Sequence, residues 1–391
     1  MTIKKKLTAK AISLAALVAV AGVLLALKNN ERVCEFFATT FARGWIFLFG
    51  HIFGWLPVSV YELLLTAAIA GAIVCLVLLI RDLVKKHWQK ALSLTLSVCI
   101  AVASFLCVYT ATASFSYNRA PLPQSVYAEY RAEDFSYEQA VELAENLIDK
   151  MNEAYFATEH DENGNIVYPY TFKELSDLVA QQYQRLTEDY FSSYTPPAKR
   201  ILNKWIMSQM HIVGVFFAPT GEVNVNGNEN NLFLPSTMAH EMAHAKGVMR
   251  EYEADIVSRY VLATSENPYL CYGTLVQLSS YALSLVGKYP DSRQDYERLY
   301  NSVAAGIRLE RQNYNEFYAQ FTLLDDVGEF FNDIYLKLQQ QQGGTESYEK
   351  PGETQGTGQV DGDGEEIVQI VRFSGAENLL IHLYKQGAFH N

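Results

Sequence analysis

Basic charge is scarce in this sequence. Its 391 residues carry 31 Lys and Arg against 43 Asp and Glu, for a formal net charge of -12. The acidic excess falls beyond residue 113. A surface of that sign repels phosphate backbones, which excludes nucleic acid as a partner. Cysteine is scarcer still, with only Cys34, Cys75, Cys99, Cys107 and Cys271. Cys75, Cys99 and Cys107 lie in apolar runs, where a thiol packs as a small hydrophobe. No CxxC pair is present, so a disulfide framework is excluded. Cys271 reads as buried and inert. Without staples, the polar part of the chain must be held by its own core, as one large domain or two smaller ones.

Charge is almost missing from three long stretches. The mean hydropathy of -0.02 hides them, because it averages an apolar first part with a polar remainder. The stretches run over about 11–27, 58–80 and 91–112. Each is near the roughly 20 residues that cross a bilayer as a helix. Residues 1–113 therefore read as a membrane region with three transmembrane helices, with the lipid bilayer as its partner. A fourth apolar segment, Gly44 to Leu56, is too short to span. Trp45 and Trp55 bracket it, as in a helix at the interface or on the bundle. Glu62, near one end of the second span, reads as a side chain reaching interfacial water. The first span has the basic start of a signal peptide, but Lys28-Asn29-Asn30-Glu31 offers no small-residue cleavage site, so an uncleaved helix is expected.

Basic residues set the expected orientation. Lys4, Lys5, Lys6 and Lys10 precede the first span, and Arg81, Lys85, Lys86 and Lys90 lie between the second and third. The positive-inside rule puts both regions in the cytoplasm. Three crossings then leave everything after residue 113 outside. The expected localisation is a multi-pass cell-membrane protein with a cytoplasmic N-terminus and an extracytoplasmic domain.

Residues 114–132 read as an irregular connector. Ser136 with Gln139, and Thr171 with Glu174, have capping-box spacing before amphipathic runs. A further helix is expected after Pro196-Pro197, through Trp205 to Met210. Ile212 to Ala218 and Glu222 to Asn226 read as two strands of a hairpin around Pro219-Thr220-Gly221, the second half-exposed by its period-two alternation. Ser236 or Thr237 is expected to cap the next helix. Helices are expected around Arg250–Ala263, Tyr269–Val286, Gln294–Phe321 and Gly328–Gln341. Residues 114–341 thus form the domain. Residues 342–366 read as a disordered acidic, Gly-rich insertion. Residues 367–391 read as a segment packing back on the domain.

The helix after Ser236 carries His240-Glu241-Met242-Ala243-His244. Histidines four apart stand one turn apart on one helical face, so two nitrogens can share a zinc ion at about 2.0–2.1 Å. Glu241 projects about 100° around the helix from His240, towards a metal-bound water, and can take a proton from that water as it attacks. Gly247 suits a left-handed helix end, so the chain can reverse into a second helix near Met249. There Glu251 is the favoured third ligand and Glu253 the alternative. Asp255 shares a face with Glu251 and can orient a ligating imidazole. The competing reading of these acids is a solvated helix face paired with Arg250 or Arg259. His211, Tyr252 and Tyr260 are candidate donors to an oxyanion, none of them singled out.

The run HEMAHAKGVMREYEAD, an HExxH helix followed by E-x-x-A-D, is similar to gluzincins, including the membrane-bound peptidases that process prenylated proteins. Its close helix spacing resembles more the bacterial membrane proteins grouped as domain-of-unknown-function family 3810. Asn118-Arg119-Ala120-Pro121-Leu122 and Pro219-Thr220-Gly221-Glu222-Val223-Asn224-Val225-Asn226 also carry that resemblance. The membrane part resembles the family in character only, and residues 342–366 depart from it. The resemblance implies a mainly α (α+β) zincin-like domain with a small sheet beside the HExxH helix. By that likeness Glu222, Val223 and Asn224 sit on a strand that binds substrate backbone; the equal alternative is a plain hairpin supporting the motif helix.

The expected function is a zinc-dependent metallopeptidase (a hydrolase) acting on peptide or protein substrates outside the cell. The alternative is a catalytically silent membrane receptor or scaffold that keeps the fold. An intact Glu241 argues against that alternative, because a structural zinc site needs no base.

Overall fold

The structure is a computed structural model describing residues 3–228, 230–338 and 373–390. It is mainly helical, with several apolar helices in its first part and small sheets in its second. Residues 342–366, read as an insertion, lie outside the described residues, as do 367–372.

The apolar runs form α1 (Ile3–Leu27), α4 (Val60–Val84) and α5 (Trp88–Thr112), with α2 (Glu31–Phe36) and α3 (Arg43–Gly54) between the first two. Lys10 Nζ reaches Ser93 O at 2.8 Å and Cys107 Sγ lies 3.7 Å from Leu17 O, so α1 and α5 run parallel. A three-residue turn makes α4 antiparallel to α5. Leu and Val side chains all around α1 and α4 stay exposed, which water does not tolerate on this scale. Length and composition suit these helices to crossing a membrane.

The segment Glu31–Gly54 also qualifies by length and composition. The sequence reading saw only a short run there, because Arg32, Glu35 and Arg43 break the apolar pattern. The helix continues past them through a π-helical stretch, Phe37–Ala42. One face packs on the polar domain. Trp45 Nε1 donates to Pro219 O at 3.0 Å and Arg43 donates to Asp189 O at 2.6 Å. Gly221, at φ +65°, lies so close that a Cβ would stand 3.0 Å from Gly50 N and Ile46 O.

Local signals start the first two helices of the polar domain. Capping boxes at Ser136–Gln139 and Thr171–Glu174 open α6 (Tyr137–Phe156) and α7 (Phe172–Gln182). The apolar face of α6 packs on α11 (Pro268–Gly287), a helix long and apolar enough to span but mostly buried here. Beyond it follow α12 (Arg293–Ser302), α13 (Ala305–Ala319) and α14 (Asp325–Leu338). Two helices thus replace the expected single one over 294–321. A capping box at Ser374–Glu377 opens α15 (Gly375–Lys385), whose buried residues join the same core.

A two-stranded ribbon pairs β1 (Glu159–His160) with β2 (Ile166–Val167) around the Asp161–Gly164 turn. The main sheet has the order β3 (Ala198–Ile201), β5 (Glu222–Asn226), β4 (Gly214–Phe217). β3 runs parallel to β5, and β4 is antiparallel to it. The strand at 198–201 corrects the helix expected from Pro197 onward, which shortens to α8 (Lys204–Gln209). β5 is not half-exposed. All five of its residues are buried, because it is the central strand and its polar face is covered too.

That covering is specific. Glu222 pairs with Lys199 at 2.7 Å and accepts the backbone amides of Val60 at 3.0 Å and Tyr61 at 2.9 Å. Lys199 Nζ also donates to Phe53 O and Val58 O. One ion pair therefore ties the end of α3 and the start of α4 to the sheet. Glu62, one residue on, accepts Leu202 N and Asn203 N at 2.9 and 2.5 Å on the exposed side of the same junction.

Candidate metal centre

α9 (Leu234–Ala245) carries the HExxH run across the face of the sheet. Its start differs from the expected one. Asn230 caps a short 3₁₀ turn, Asn231–Phe233, which leads directly into α9, so Ser236 and Thr237 lie inside the helix. Ser236 instead bonds Thr274 at 3.0 Å. α9 ends where Gly247 adopts φ +97°, and α10 (Glu251–Ala263) returns beside it.

The return brings Glu251 between the two histidines. Its Oε2 lies 3.1 Å from His240 Nε2 and 3.3 Å from His244 Nε2. The three ligand atoms all fall within 4.8 Å of one another. Donors sharing one tetrahedral ion at about 2.0–2.1 Å stand about 3.3 Å apart, and the two Glu251 distances lie near that value. Both Nδ1 atoms are engaged on the far sides of the rings. His240 Nδ1 pairs with Asp255 Oδ1 at 2.8 Å, and His244 Nδ1 donates to Val248 O at 2.7 Å. Those contacts fix each ring and aim both Nε2 atoms at the common point. Arg259 holds the other Asp255 oxygen at 3.0 Å.

Glu253 is turned away. It pairs with Arg250 at 2.5 Å and accepts the Tyr252 hydroxyl at 3.1 Å. Arg250 in turn donates to Tyr117 O and Arg119 O, so this pair braces the helix turn against the segment that follows α5.

The electrostatics follow from burial opposed by pairing. Burial alone would raise the Glu251 carboxyl, but the imidazoles beside it hold it down to about 2. Burial disfavours protonated imidazole, yet Asp255 and Glu251 push His240 well above the usual range. The same balance, with Glu251 as the first counter-charge, raises His244. Glu241, only 5% exposed, is pushed up by burial, with the two histidines and the Phe216 amide pulling the other way.

Glu241 lies against β4. A Cβ on Gly214 would stand 2.5 Å from Glu241 Oε1 and 2.7 Å from its Cγ, so glycine is what lets this carboxylate approach the strand. Asn226 N bonds Val213 O, and the antiparallel register then turns Val215 and Phe217 inward to β5. Gly214 and Phe216 present their backbone groups to the other side. β4 is thus an edge strand among the described residues, with the Phe216 amide meeting Glu241 and the Gly214 backbone beside it.

This geometry corrects the reading of Glu222, Val223 and Asn224 as a substrate-binding strand. β5 has partners on both sides, so it has no edge to offer. Glu222 is spent on Lys199 and α4, Val223 is in the core, and Asn224 bonds Val215 O at 3.2 Å. The oxyanion candidates also have other partners: His211 Nε2 meets Phe321 O at 2.6 Å, Tyr252 serves Glu253, and Tyr260 packs against the core. The sequence reading missed Gly214, whose signal was a glycine inside an apolar strand run. It also missed Tyr183, a buried residue whose hydroxyl donates to Ala239 O below the motif helix.

No curated protein and no solved structure gives a significant match. Residues 37–351 match a family described as protein of unknown function (DUF3810), a span holding the sheet, α9, α10 and the clamp to α4. On that match the chain belongs to the DUF3810 family.

Proposed function

We propose that this chain is a membrane-anchored, zinc-dependent metallopeptidase hydrolysing peptide bonds of extracytoplasmic proteins or peptides. One observation carries the reading: His240, His244 and Glu251 converge on a point beside Glu241 and the edge strand β4. A zinc ion held there by the three residues would polarise a scissile carbonyl and acidify water. Glu241 is the general base. Burial raises its affinity for a proton, so it can accept one from water and release it to the leaving amine. Asp255 and Val248 O keep the two imidazoles aimed. The Gly214 amide and carbonyl on the edge of β4 would hold an extended substrate backbone.

In this reading α1, α4 and α5 cross the membrane. The basic residues before α1 and between α4 and α5 stay in the cytoplasm. The parallel run of α1 and α5 agrees with that arrangement, because both lead outward to the catalytic domain.

The test uses the full chain in detergent. Elemental analysis should find one zinc ion per chain, lost in His244→Ala. A peptide library should be cut by the wild type and not by Glu241→Gln, which keeps its zinc. A folded chain that takes up no zinc overturns the reading. Zinc without cleavage by the wild type leaves the silent receptor or scaffold.

A further inference from the structure

We infer that the site takes its substrate from the membrane surface, cutting membrane-anchored polypeptide close to where it leaves the bilayer; the inference rests on the peptidase reading above. The argument starts at the β4 edge. β4 runs from Gly214, beside Glu241, to Phe217. The Phe217 ring packs on Tyr61 at 4.8 Å and on Phe105 at 6.3 Å between ring centres. Tyr61 is in the first turn of α4. Phe105 lies roughly 10 Å down α5 from Thr112, at 1.5 Å per residue. The strand that would receive substrate thus descends beside two apolar helices, below the level at which α5 ends.

A second surface sets the same depth. Leu202, Trp205 and Ile206 on and before α8 are 73%, 54% and 40% exposed. They are held next to the first turn of α4, because Glu62 accepts the Leu202 amide. A cluster of exposed large apolar side chains beside a membrane helix end, with an indole among them, suits the lipid interface and not open water. Once these side chains are immersed, the β4 edge lies at the headgroup level. An extended segment lying along that plane meets the edge without being lifted from the membrane. A segment held far out in solution must be brought down to it.

The test co-reconstitutes the full chain in vesicles of phosphatidylglycerol and phosphatidylethanolamine with a tethered library. Degenerate segments are placed about 3 or about 30 residues outside a single apolar helix, a reach of roughly 10 or up to roughly 100 Å. Cleavage of the near set at least about tenfold faster than the far set is expected, and Glu241→Gln should cut neither. Independently of activity, bromine-bearing lipids should quench a part of the tryptophan emission that is lost in Trp205→Phe. Equal cleavage of both sets, or faster cleavage of the far set, overturns the inference and leaves the peptidase reading standing. Trp205 beyond the reach of brominated lipid also overturns it. No cleavage of either set by the zinc-loaded wild type removes the peptidase reading and this inference with it.

Discussion

Replacing Glu222 by Ala should loosen the sheet from the apolar helices. In the native protein the Glu222 side chain is 1% exposed and the Lys199 side chain 6%. Removing the carboxylate leaves a buried ammonium with only the Phe53 and Val58 carbonyls, and strips the acceptor from the Val60 and Tyr61 amides. Breaking a buried pair from one side costs about 3–5 kcal/mol. A domain of this size moves by about 2–4 °C per kcal/mol, so the expected fall in Tm is about 6–20 °C. The assay is thermal unfolding of the full chain in detergent, with Lys199→Met/Glu222→Leu as the companion. Removing both charges leaves no unpaired ammonium, so the double variant should regain part of the loss despite the two orphaned amides. A Glu222→Ala protein that melts with the wild type refutes the clamp. So does a double variant no more stable than the single one, because the penalty would then not come from the stranded lysine.

Four further outcomes are expected. Gly214→Ala should keep zinc but lower kcat on the order of a hundredfold, because a methyl 2.5 Å from Glu241 Oε1 displaces the base; unchanged turnover contradicts the packing. Asp255→Asn should weaken zinc binding by about 10–100-fold in a chelator competition, since His240 loses its charged partner. Glu253→Gln should leave zinc content unchanged, and loss of zinc there would show that the wrong glutamate has been named as ligand. The Cys271 thiol is pushed up to about 11 by burial, so iodoacetamide at neutral pH should label it only after unfolding, as read by peptide mass.

Much of the site was legible because its signals are local. His240, Glu241 and His244 are fixed relative to one another by one helix, and Gly247 ends it in a conformation that glycine favours. Glu251 and Asp255, one turn apart, can face the same histidine, whereas Glu253 points with Arg250 to the other side. The strand Ala198–Ile201 was not legible in the same way. Its sequence Ala-Lys-Arg-Ile shows no alternation of a half-buried strand, because Lys199 is buried by an acid 23 positions on. The same acid misled the reading of β5. Glu222, Asn224 and Asn226 look like a solvent face, but Lys199, Val215 O and Ser208 Oγ supply partners that let them be buried. Polar residues report the need for a partner, and only the fold decides whether water or protein provides it.

The long-range contacts missed in the sequence also change what the apolar helices are for. An anchor alone would need only length and hydrophobicity. Here Glu222 and Glu62 join the first turn of α4 to β5 and to the end of β3. Arg119 pairs with Glu35 in α2 and also donates to Gly247 O in the turn between α9 and α10. Met249, two residues on from Gly247, packs with Ala113 and Tyr117 just past the end of α5. The turn that sets Glu251 against His240 and His244 is therefore built on the ends of the apolar helices. Cutting the chain after Ala113 would remove Glu35, Phe53, Val58, Val60, Tyr61 and Glu62 together, leaving Arg119 without its carboxylate partner and the buried Lys199–Glu222 pair without the backbone groups that cover it. The geometry of the proposed metal site belongs to the whole chain, and its measurements require the helices to be present.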